Sequence, residues 1–257
     1  MSVNVFESTG RRTLNFFQEL GQIWILFWGM VRALKRIFRD RRLLLTQMAH
    51  IGVGSLPLVM VIGLFTGMVS AWQAAYQFKG MISFSLIGGA VSRAIFIELG
   101  PVLTGIVIAG RVGASIAAEI GTMKVTEQID ALETLAIDPV RYLALPRFLA
   151  AISMMPILVI FANAIALAGA FLVANFFLHL SAETFFGSVE RFFRSKDVFA
   201  GLIKSMSFGG FTALLGCHIG FATKGGAEGV GLSTIRSFVL SAAIILILDY
   251  FLWYLIY

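Results

Sequence analysis

Residues 98–147, which read ELGPVLTGIVIAGRVGASIAAEIGTMKVTEQIDALETLAIDPVRYLALPR, decide the fold of this chain. The first half is apolar except for a few ionisable side chains, and small residues recur in it at every fourth position. Such a row lies along one helix face and lets another helix backbone approach closely inside a membrane. The second half is polar. We therefore predict a membrane-spanning helix, followed by a loop, with this row as its packing face: Gly105, Ala109, Gly113, Ala117 and Gly121.

The composition of the whole chain extends this interpretation. Of 257 residues, 58% are hydrophobic and 13% are charged, whereas soluble domains carry about 25% charge. The charges are segregated, and they leave continuous apolar runs of the roughly 20 residues that cross a bilayer as a helix. The net charge of +6 is concentrated at the ends of these runs. That placement indicates contact with anionic lipid and excludes nucleic acid as the expected partner.

The hydropathy pattern predicts an all-α integral membrane protein with a single domain over residues 1–257. Residues 11–42 carry eight Lys/Arg around an apolar segment that is too short to span, so we expect an amphipathic helix in the membrane interface. The core, residues 51–257, should hold five spans. A Gly-rich loop is expected at 223–232, and the spans are expected at about 51–75, 84–118, 148–180, 199–222 and 233–257.

The distribution of basic residues predicts the orientation of the five spans. With the N-terminus in the cytoplasm, the inner segments hold thirteen Lys/Arg and the outer loops hold four. Cytoplasmic loops are enriched in Lys and Arg. We therefore predict an N-in, C-out topology.

Glu98 is the most informative single residue, because it lies inside an apolar segment. Pro101 follows it and should kink the helix beside the carboxylate. A charge within the membrane is costly unless it is paired or faces a wet cavity. Two interpretations stay open: an ion pair with Arg93, Arg111 or Lys204, or a cavity wall that meets a polar head group.

A second set of polar residues lies on one helical face near the end of the same span. Arg111, Ser115 and Glu119 are spaced four apart, which predicts a structural ion pair between the arginine and the glutamate. The loop that follows predicts a short amphipathic helix over residues 127–136, with Thr126 as its cap. This helix would either lie at the interface or dock into a soluble partner. Its apolar stripe is Ile129, Leu132, Leu135 and Ala136.

Sequence signatures of catalysis are absent. The chain contains no G-x-x-x-x-G-K-[ST] phosphate loop, so it does not hydrolyse ATP by that route. No His/Cys cluster has metal-ligand spacing. Cys217 lies in an apolar run, and we expect it to be a small buried residue. We therefore predict that the chain is not an enzyme and holds no cofactor or metal.

The quoted stretch resembles the signature region of the MlaE-type permeases. These are the membrane subunits of bacterial phospholipid ABC transporters, and they are related to a chloroplast lipid permease and to the Mce-associated YrbE permeases. The resemblance implies a homodimer in the bacterial inner membrane. It also implies two cytoplasmic ABC ATPase subunits that bind the ATP, a hexameric periplasmic MCE-domain protein and a possible STAS-domain accessory, with phospholipid as substrate.

The same resemblance assigns roles to residues. Glu98 and Leu99 match the family's ELGP segment and would line a lipid cavity together with the outer end of the first span. The family often has Arg before this Glu, where this chain has Ile97, so Arg93 or Lys204 is expected to supply the charge. The remaining cavity residues would be Ser70, Ala74, Gln77, Phe78 and Met81, and the ATPase-coupling residues would be Glu127, Gln128, Asp130, Leu132 and Glu133.

The leading hypothesis is therefore a permease subunit that moves phospholipid between the inner and outer membranes. The first alternative is the same machine carrying sterols or other hydrophobic solutes. Another is a self-contained, ion-coupled transporter or channel with Glu98 as its ion site. A third is a scaffold that only anchors the MCE ring.

Overall fold

The computed structural model describes residues 2–35, 41–79 and 83–257, and within these ranges the chain is helical with no β-strand. The helices are α1 Ser2–Ala33, α2 Arg41–Ile51, α3 Leu56–Phe78, α4 Ile87–Ala94, α5 Gly100–Ile108, α6 Ala114–Val125, α7 Gln128–Thr134, α8 Leu145–Phe176, α9 Ala182–Phe192, α10 Ser195–Phe221 and α11 Gly226–Ile256.

Five helical segments in the described ranges are long and apolar enough to cross a membrane, which confirms the predicted fold class. These spans 1 to 5 are Arg41–Phe78, Phe84–Val125, Val140–Phe176, Ser195–Phe221 and Gly226–Ile256. Helix α7 lies between spans 2 and 3, and α9 lies between spans 3 and 4, so the two short helices mark opposite ends of the bundle. The N-in orientation stays a prediction.

Several predicted boundaries are wrong. The predicted loop at 223–232 is mostly helix, because α11 begins at Gly226 rather than at residue 233. The turn is confined to the residues before Gly226, and the helix starts with two positive φ angles that favour glycine, 88° at Gly225 and 67° at Gly226. The first turn of α11 also carries Glu228, which complements the helix dipole. Span 3 ends at Phe176, four residues before the predicted end.

The N-terminal region also differs from its prediction. The expected interfacial region, residues 11–42, is divided between α1 (Ser2–Ala33) and the start of α2, and residues 36–40 lie outside the described residues. Helix α1 packs against α10 and against residues 140–144 through the buried side chains of Leu26 and Met30. Trp24 and Trp28 are exposed on it. Although it has 32 residues, it is not among the described helices that are apolar enough to cross a membrane, consistent with an interfacial position.

Close helix packing is achieved by glycine. Helix α3 runs along α8, and a Cβ added to Gly67 would lie 1.8 Å from the carbonyl oxygen of Ala166. A Cβ on Gly169 would lie 2.3 Å from the carbonyl oxygen of Leu64. Any side chain at these positions would push the two backbones apart.

Helix α10 lies at the centre of the bundle and contacts α6, α8 and α11. The row of small residues on span 2 is buried against α10 and α11 of the same chain. A Cβ on Gly105 would meet Phe208, and one on Gly113 would meet Thr212. The helices that pack on this row therefore belong to the same chain.

Candidate functional site

A cavity of about 350 Å³ lies between the end of α3 and the start of span 2, at the α9 end of the bundle. Five of the residues expected from the sequence line it: Ser70, Ala74, Gln77, Phe78 and Leu99. The others are Val69, Gln73, Ala90, Val91 and Ala94. Its wall is apolar with a polar edge, because Gln73 and Gln77 are exposed on the last turns of α3. Met81, also expected here, lies outside the described residues.

A second cavity, of about 300 Å³, lies between α1, α8 and α10. Its wall is almost wholly apolar and includes Trp24, Phe148 and Phe211. Its lining contains no amide or charged side chain, whereas the cavity at α3 has the amides of Gln73 and Gln77 at its edge. The cavity at α3 is therefore the better candidate for a ligand that has both apolar and polar parts.

The ionisable residues expected at the cavity do not line it. Glu98 instead pairs with Lys204, whose ammonium nitrogen lies 2.7 Å from Glu98 Oε1. The same nitrogen lies 2.8 Å from Asp249 Oδ1. These three residues, from spans 2, 4 and 5, form what we name the buried triad. Lys204 is thus the partner of Glu98 among the three that the sequence left open.

Two backbone features bring Lys204 to this place. Pro101 has no N–H to donate to the carbonyl of Ile97, its i−4 residue, and Lys204 Nζ lies 3.4 Å from that oxygen. Gly201, one turn before Lys204, lets α10 approach span 2, since a Cβ there would lie 2.3 Å from the carbonyl oxygen of Phe96. The expected irregularity beside Glu98 takes the form of a π-helical turn, Ile95–Leu99.

Arg93 belongs to a separate cluster one layer nearer the α9 end. Its Nε donates to Asp197 Oδ2 at 3.0 Å, and the hydroxyl of Tyr257 donates to Asp197 Oδ1 at 2.8 Å. Lys196 Nζ lies over the Tyr257 ring, 5.1 Å from its centroid. The charge of Arg93 is therefore matched by a buried carboxylate and not by Glu98.

Sequence reasoning missed Asp249, Asp197 and Gln73. Asp249 carried a clear signal, because it is a charged residue inside an apolar run, the same feature that singled out Glu98. Asp197 gave no such signal, since it lies in the charged segment between the predicted third and fourth spans. Only the packing of α10 places that side chain in the interior, where it is 2% exposed.

The polar residues at the α7 end do not pair as predicted. Arg111 donates to the hydroxyl of Ser55, so the expected pair with Glu119 is wrong. Glu119 accepts instead from Ser115 at 3.0 Å and from the nearly buried Arg147 at 2.9 Å. The helical spacing was correct for Ser115, but the arginine partner came from another span. The contact holds spans 2 and 3 together next to their connecting loop.

The short helix in that loop is smaller than expected. Helix α7 spans Gln128–Thr134, and the predicted ends, Glu127 and Ala136, adopt left-handed backbone conformations with φ 60° and 57°. Thr126 does not cap it, because its hydroxyl donates back to the carbonyl of Thr122. A left-handed residue on each side stops a helix from extending.

The predicted apolar stripe of this loop divides in two. Ile129 is buried and Leu132 packs on the core, whereas Leu135 is 70% exposed. The acidic residues Glu127, Asp130 and Glu133 are exposed as well, and Asp130 pairs with Lys124 at 2.7 Å. The loop therefore presents an acidic surface together with two exposed apolar side chains, Leu135 and Ile137.

A family model and individual relatives both assign this chain to one family of permeases. The model of a family described as Permease MlaE matches residues 44–255. A probable ABC transporter permease protein of Rickettsia felis is 39% identical over 250 residues, which cover 97% of this chain and 96% of the relative.

Two more distant relatives carry more specific names. The intermembrane phospholipid transport system permease protein MlaE of Haemophilus influenzae is 32% identical over 253 residues, covering 98% of this chain and 97% of the relative. The chloroplastic protein trigalactosyldiacylglycerol 1 of Arabidopsis thaliana is 36% identical over 208 residues, covering 81% of this chain and 59% of the relative. With most of its length matched by the family model and by full-length relatives, this multi-pass membrane chain belongs to the MlaE permease family.

Proposed function

We propose that this chain is the permease subunit of an ABC transporter that moves phospholipid between the inner and outer membranes. Membership of the family supports a lipid transport permease within a complex of several subunits. The observation that carries the finer proposal is the cavity at α3, which has an apolar wall and an amide edge. A ligand that suits it has apolar chains next to a polar group, as a phospholipid does.

The cavity and the buried triad are neighbours on span 2. Leu99 lines the cavity, and Glu98 directly before it belongs to the triad. Acyl chains would pack on Leu99, Ala74 and Phe78, and the exposed amides of Gln73 and Gln77 would hydrogen-bond the ester region. The proposed substrate site is thus assembled from spans 1 and 2, with the triad connecting it to spans 4 and 5.

The proposed assembly is a homodimer in the inner membrane with ATP hydrolysed by two separate ATPase subunits. A hexameric MCE-domain protein would sit at the α9 end, and a STAS-domain accessory would join the ATPases. The permease itself would hold no cofactor. Support comes from the relatives named ABC transporter permease and from the missing phosphate loop.

The α7 end is the proposed ATPase contact. Its exposed acidic residues and Leu135 offer charge and an apolar anchor to a soluble partner. The buried side chain of Ile129 packs this helix against the core, so a movement of the bound ATPase would be transmitted to spans 2 and 3. The coupling residues expected from the sequence, Glu127, Gln128, Asp130, Leu132 and Glu133, all lie on or next to this helix.

Filling the cavity tests the substrate. Ala74→Trp places an indole in the cavity, and Val61→Trp is the matched control on the exposed face of the same helix. We expect mass spectrometry to find phospholipid bound to the wild type and the control, and much less bound to Ala74→Trp. Equal lipid in all three proteins would refute the cavity as the site. Sterol in place of phospholipid would support the hydrophobic-solute alternative.

Glu133→Lys tests the coupling contact. The reversed charge should weaken co-purification of the ATPase with the permease, because the proposed contact surface is acidic. Glu183→Lys at the opposite end of the bundle is the matched control, since Glu183 is exposed in the first turn of α9. An unchanged pull-down for Glu133→Lys would remove this residue from the contact.

A further inference from the structure

A third cavity, of about 570 Å³, lies between α1 and the turn that connects α10 to α11. Part of its wall is apolar and is formed by Ile25 and Leu26 of α1 and by Phe221 at the end of α10. Three side chains that carry N–H donors also line it: Gln22, His218 and Lys224. The cavity therefore offers both a surface for hydrocarbon and a group of hydrogen-bond donors, one of which is a full positive charge.

This cavity lies at the α7 end of the bundle. Val140 begins span 3 and Phe221 ends span 4, and both residues are in its lining. Its other wall is α1, which exposes Trp24 and Trp28, and tryptophan is enriched where a membrane meets water. We therefore expect the cavity to lie at the level of the lipid head groups, at the opposite end of the bundle from the cavity at α3.

The three donor side chains have no acceptor of their own. Within the described ranges of the chain, Lys224 makes no ion pair, and the side chains of Gln22 and His218 make no hydrogen bond. An ammonium has three N–H donors, a side-chain amide has two, and a neutral imidazole keeps one. All of these donors are therefore available to a ligand in the cavity.

Two acidic residues lie near the cavity along the chain, and neither lines it. Glu19 precedes Gln22 by one turn of α1, and it binds Arg236 at 2.7 Å, so that pair adds no net charge. Glu228, in the first turn of α11, is exposed. No acidic residue is among the described residues of the lining, so the charge of Lys224 is not balanced there and the cavity suits an anion.

A neighbouring cavity adds apolar space. It measures about 400 Å³, shares Ile25 and Gly29 with the cavity just described, and also has Trp28 and Arg32 in its lining. Helix α1 thus offers a longer apolar surface that leads to a second basic residue. A free phosphate ion would use only the donors, whereas a lipid would use the donors and this apolar surface together, so the two cavities favour a lipid.

We propose that the cavity between α1 and the α10–α11 turn binds an anionic phospholipid from the leaflet at the α7 end. The phosphate oxygen atoms would accept from Lys224, His218 and Gln22, and the acyl chains would pack on Ile25 and Phe221. This inference goes beyond the proposed function, because the lipid here is a bound component of the permease and not the transported substrate. By contacting α1 and the α10–α11 turn together, it would link the interfacial helix to the bundle.

Competition between two lipids tests the site. The permease with its co-purifying subunits carries Ala74→Trp, so that the α3 cavity is filled, and this parent protein is equilibrated in detergent with equimolar dioleoylphosphatidylglycerol and dioleoylphosphatidylcholine. Retained lipid is quantified by mass spectrometry after gel filtration. We expect roughly fivefold enrichment of phosphatidylglycerol, equivalent to about 1 kcal/mol, which is the usual attraction of one lysine to anionic lipid.

Two variants and a control locate the enrichment. Lys224→Met removes the charge, and Ala222→Trp fills the cavity without changing the charge, so each should bring the ratio close to one. Both positions are exposed, and neither change should disturb the fold. Lys79→Met is the matched control and should keep the parent ratio, because Lys79 is exposed at the end of α3. An excess of inorganic phosphate should leave the phosphatidylglycerol bound, since it cannot use the apolar wall.

Several outcomes would overturn the lipid site. Equal retention of the two lipids by the parent protein is one, and unchanged enrichment in Ala222→Trp is another. An equal loss in Lys79→Met and Lys224→Met would show only a dependence on net charge. Displacement by inorganic phosphate would indicate a soluble phosphate ligand instead, and release of the ATPase from Ala222→Trp without any lipid preference would assign the cavity to a protein contact. The α3 cavity is filled in every sample, so these outcomes do not depend on the proposed function.

Discussion

Replacing Lys204 with methionine should strongly destabilise the fold. Lys204 is wholly buried between Glu98 and Asp249, and methionine, which is unbranched and one atom shorter, removes the charge while keeping most of the packing. Two carboxylates would then face each other without a cation. Removing one partner of a buried ion pair costs about 3–5 kcal/mol. At about 2–4 °C per kcal/mol for a chain of this size, Tm should fall by about 6–20 °C.

Unfolding of this chain can be followed by the reactivity of its single cysteine. Cys217 is the single cysteine and is fully buried in α10, so a fluorogenic maleimide labels it only when the bundle opens. Thermal scans of purified wild type and Lys204→Met give the two midpoints directly. Lys224→Met is the matched control, because Lys224 is exposed at the end of α10.

A charge-balanced variant decides whether electrostatics is the cause. Lys204→Met combined with Glu98→Gln and Asp249→Asn removes the cation and both carboxylates, so most of the lost stability should return. If Lys204→Met melts within about 2 °C of the wild type, the buried triad does not hold spans 2, 4 and 5 together. If the triple variant is as unstable as Lys204→Met alone, loss of packing rather than loss of charge balance explains the effect.

Three further predictions concern the packing of the spans and the α7 end. Gly67→Ala should lower Tm and the free energy of unfolding, the latter by about 1–3 kcal/mol, because the added Cβ would lie 1.8 Å from a backbone carbonyl oxygen of α8. Its control, Gly231→Ala, has open space around it and should leave Tm unchanged or slightly higher. Leu135→Asp should reduce ATPase co-purification without changing Tm, since this side chain is 70% exposed; a falling Tm would instead show that Leu135 is part of the fold. Arg147→Met should lower Tm by a few degrees by leaving Glu119 without its cation, and an unchanged melting curve would show that this contact does not hold spans 2 and 3 together.

The fold class was predictable because it depends on a property summed over many residues. Each span needs only length and apolar composition, and both can be read without knowing any neighbour. The ends of the spans were less predictable. Gly226 and its neighbours look like a loop by propensity, yet they form the first turn of α11, where positive φ at Gly225 and Gly226 starts the helix.

The candidate site was predictable in part, and the division has a physical reason. Ser70, Ala74, Gln77, Phe78 and Leu99 do lie around one cavity, as the family resemblance implied. The resemblance placed Glu98, Arg93 and Lys204 on the same wall, whereas the structure turns them towards α10. Successive residues of a helix point in different directions, so Glu98 and Leu99 face different neighbours.

The sequence by itself determined that this chain spans a membrane, that Glu98 must there be either paired or next to a wet cavity, and that the chain contains no G-x-x-x-x-G-K-[ST] motif. Only the tertiary structure decided which partner Glu98 takes. Arg93, Arg111 and Lys204 were equivalent as cations in a linear chain. Helix α10 comes close to span 2 at Gly201, and the Ile97 carbonyl, to which Pro101 cannot donate, accepts from Lys204, so Lys204 meets Glu98 while Arg93 meets Asp197. Ion pairs between spans depend on distances that helix packing sets, and those distances are not encoded in spacing along one helix.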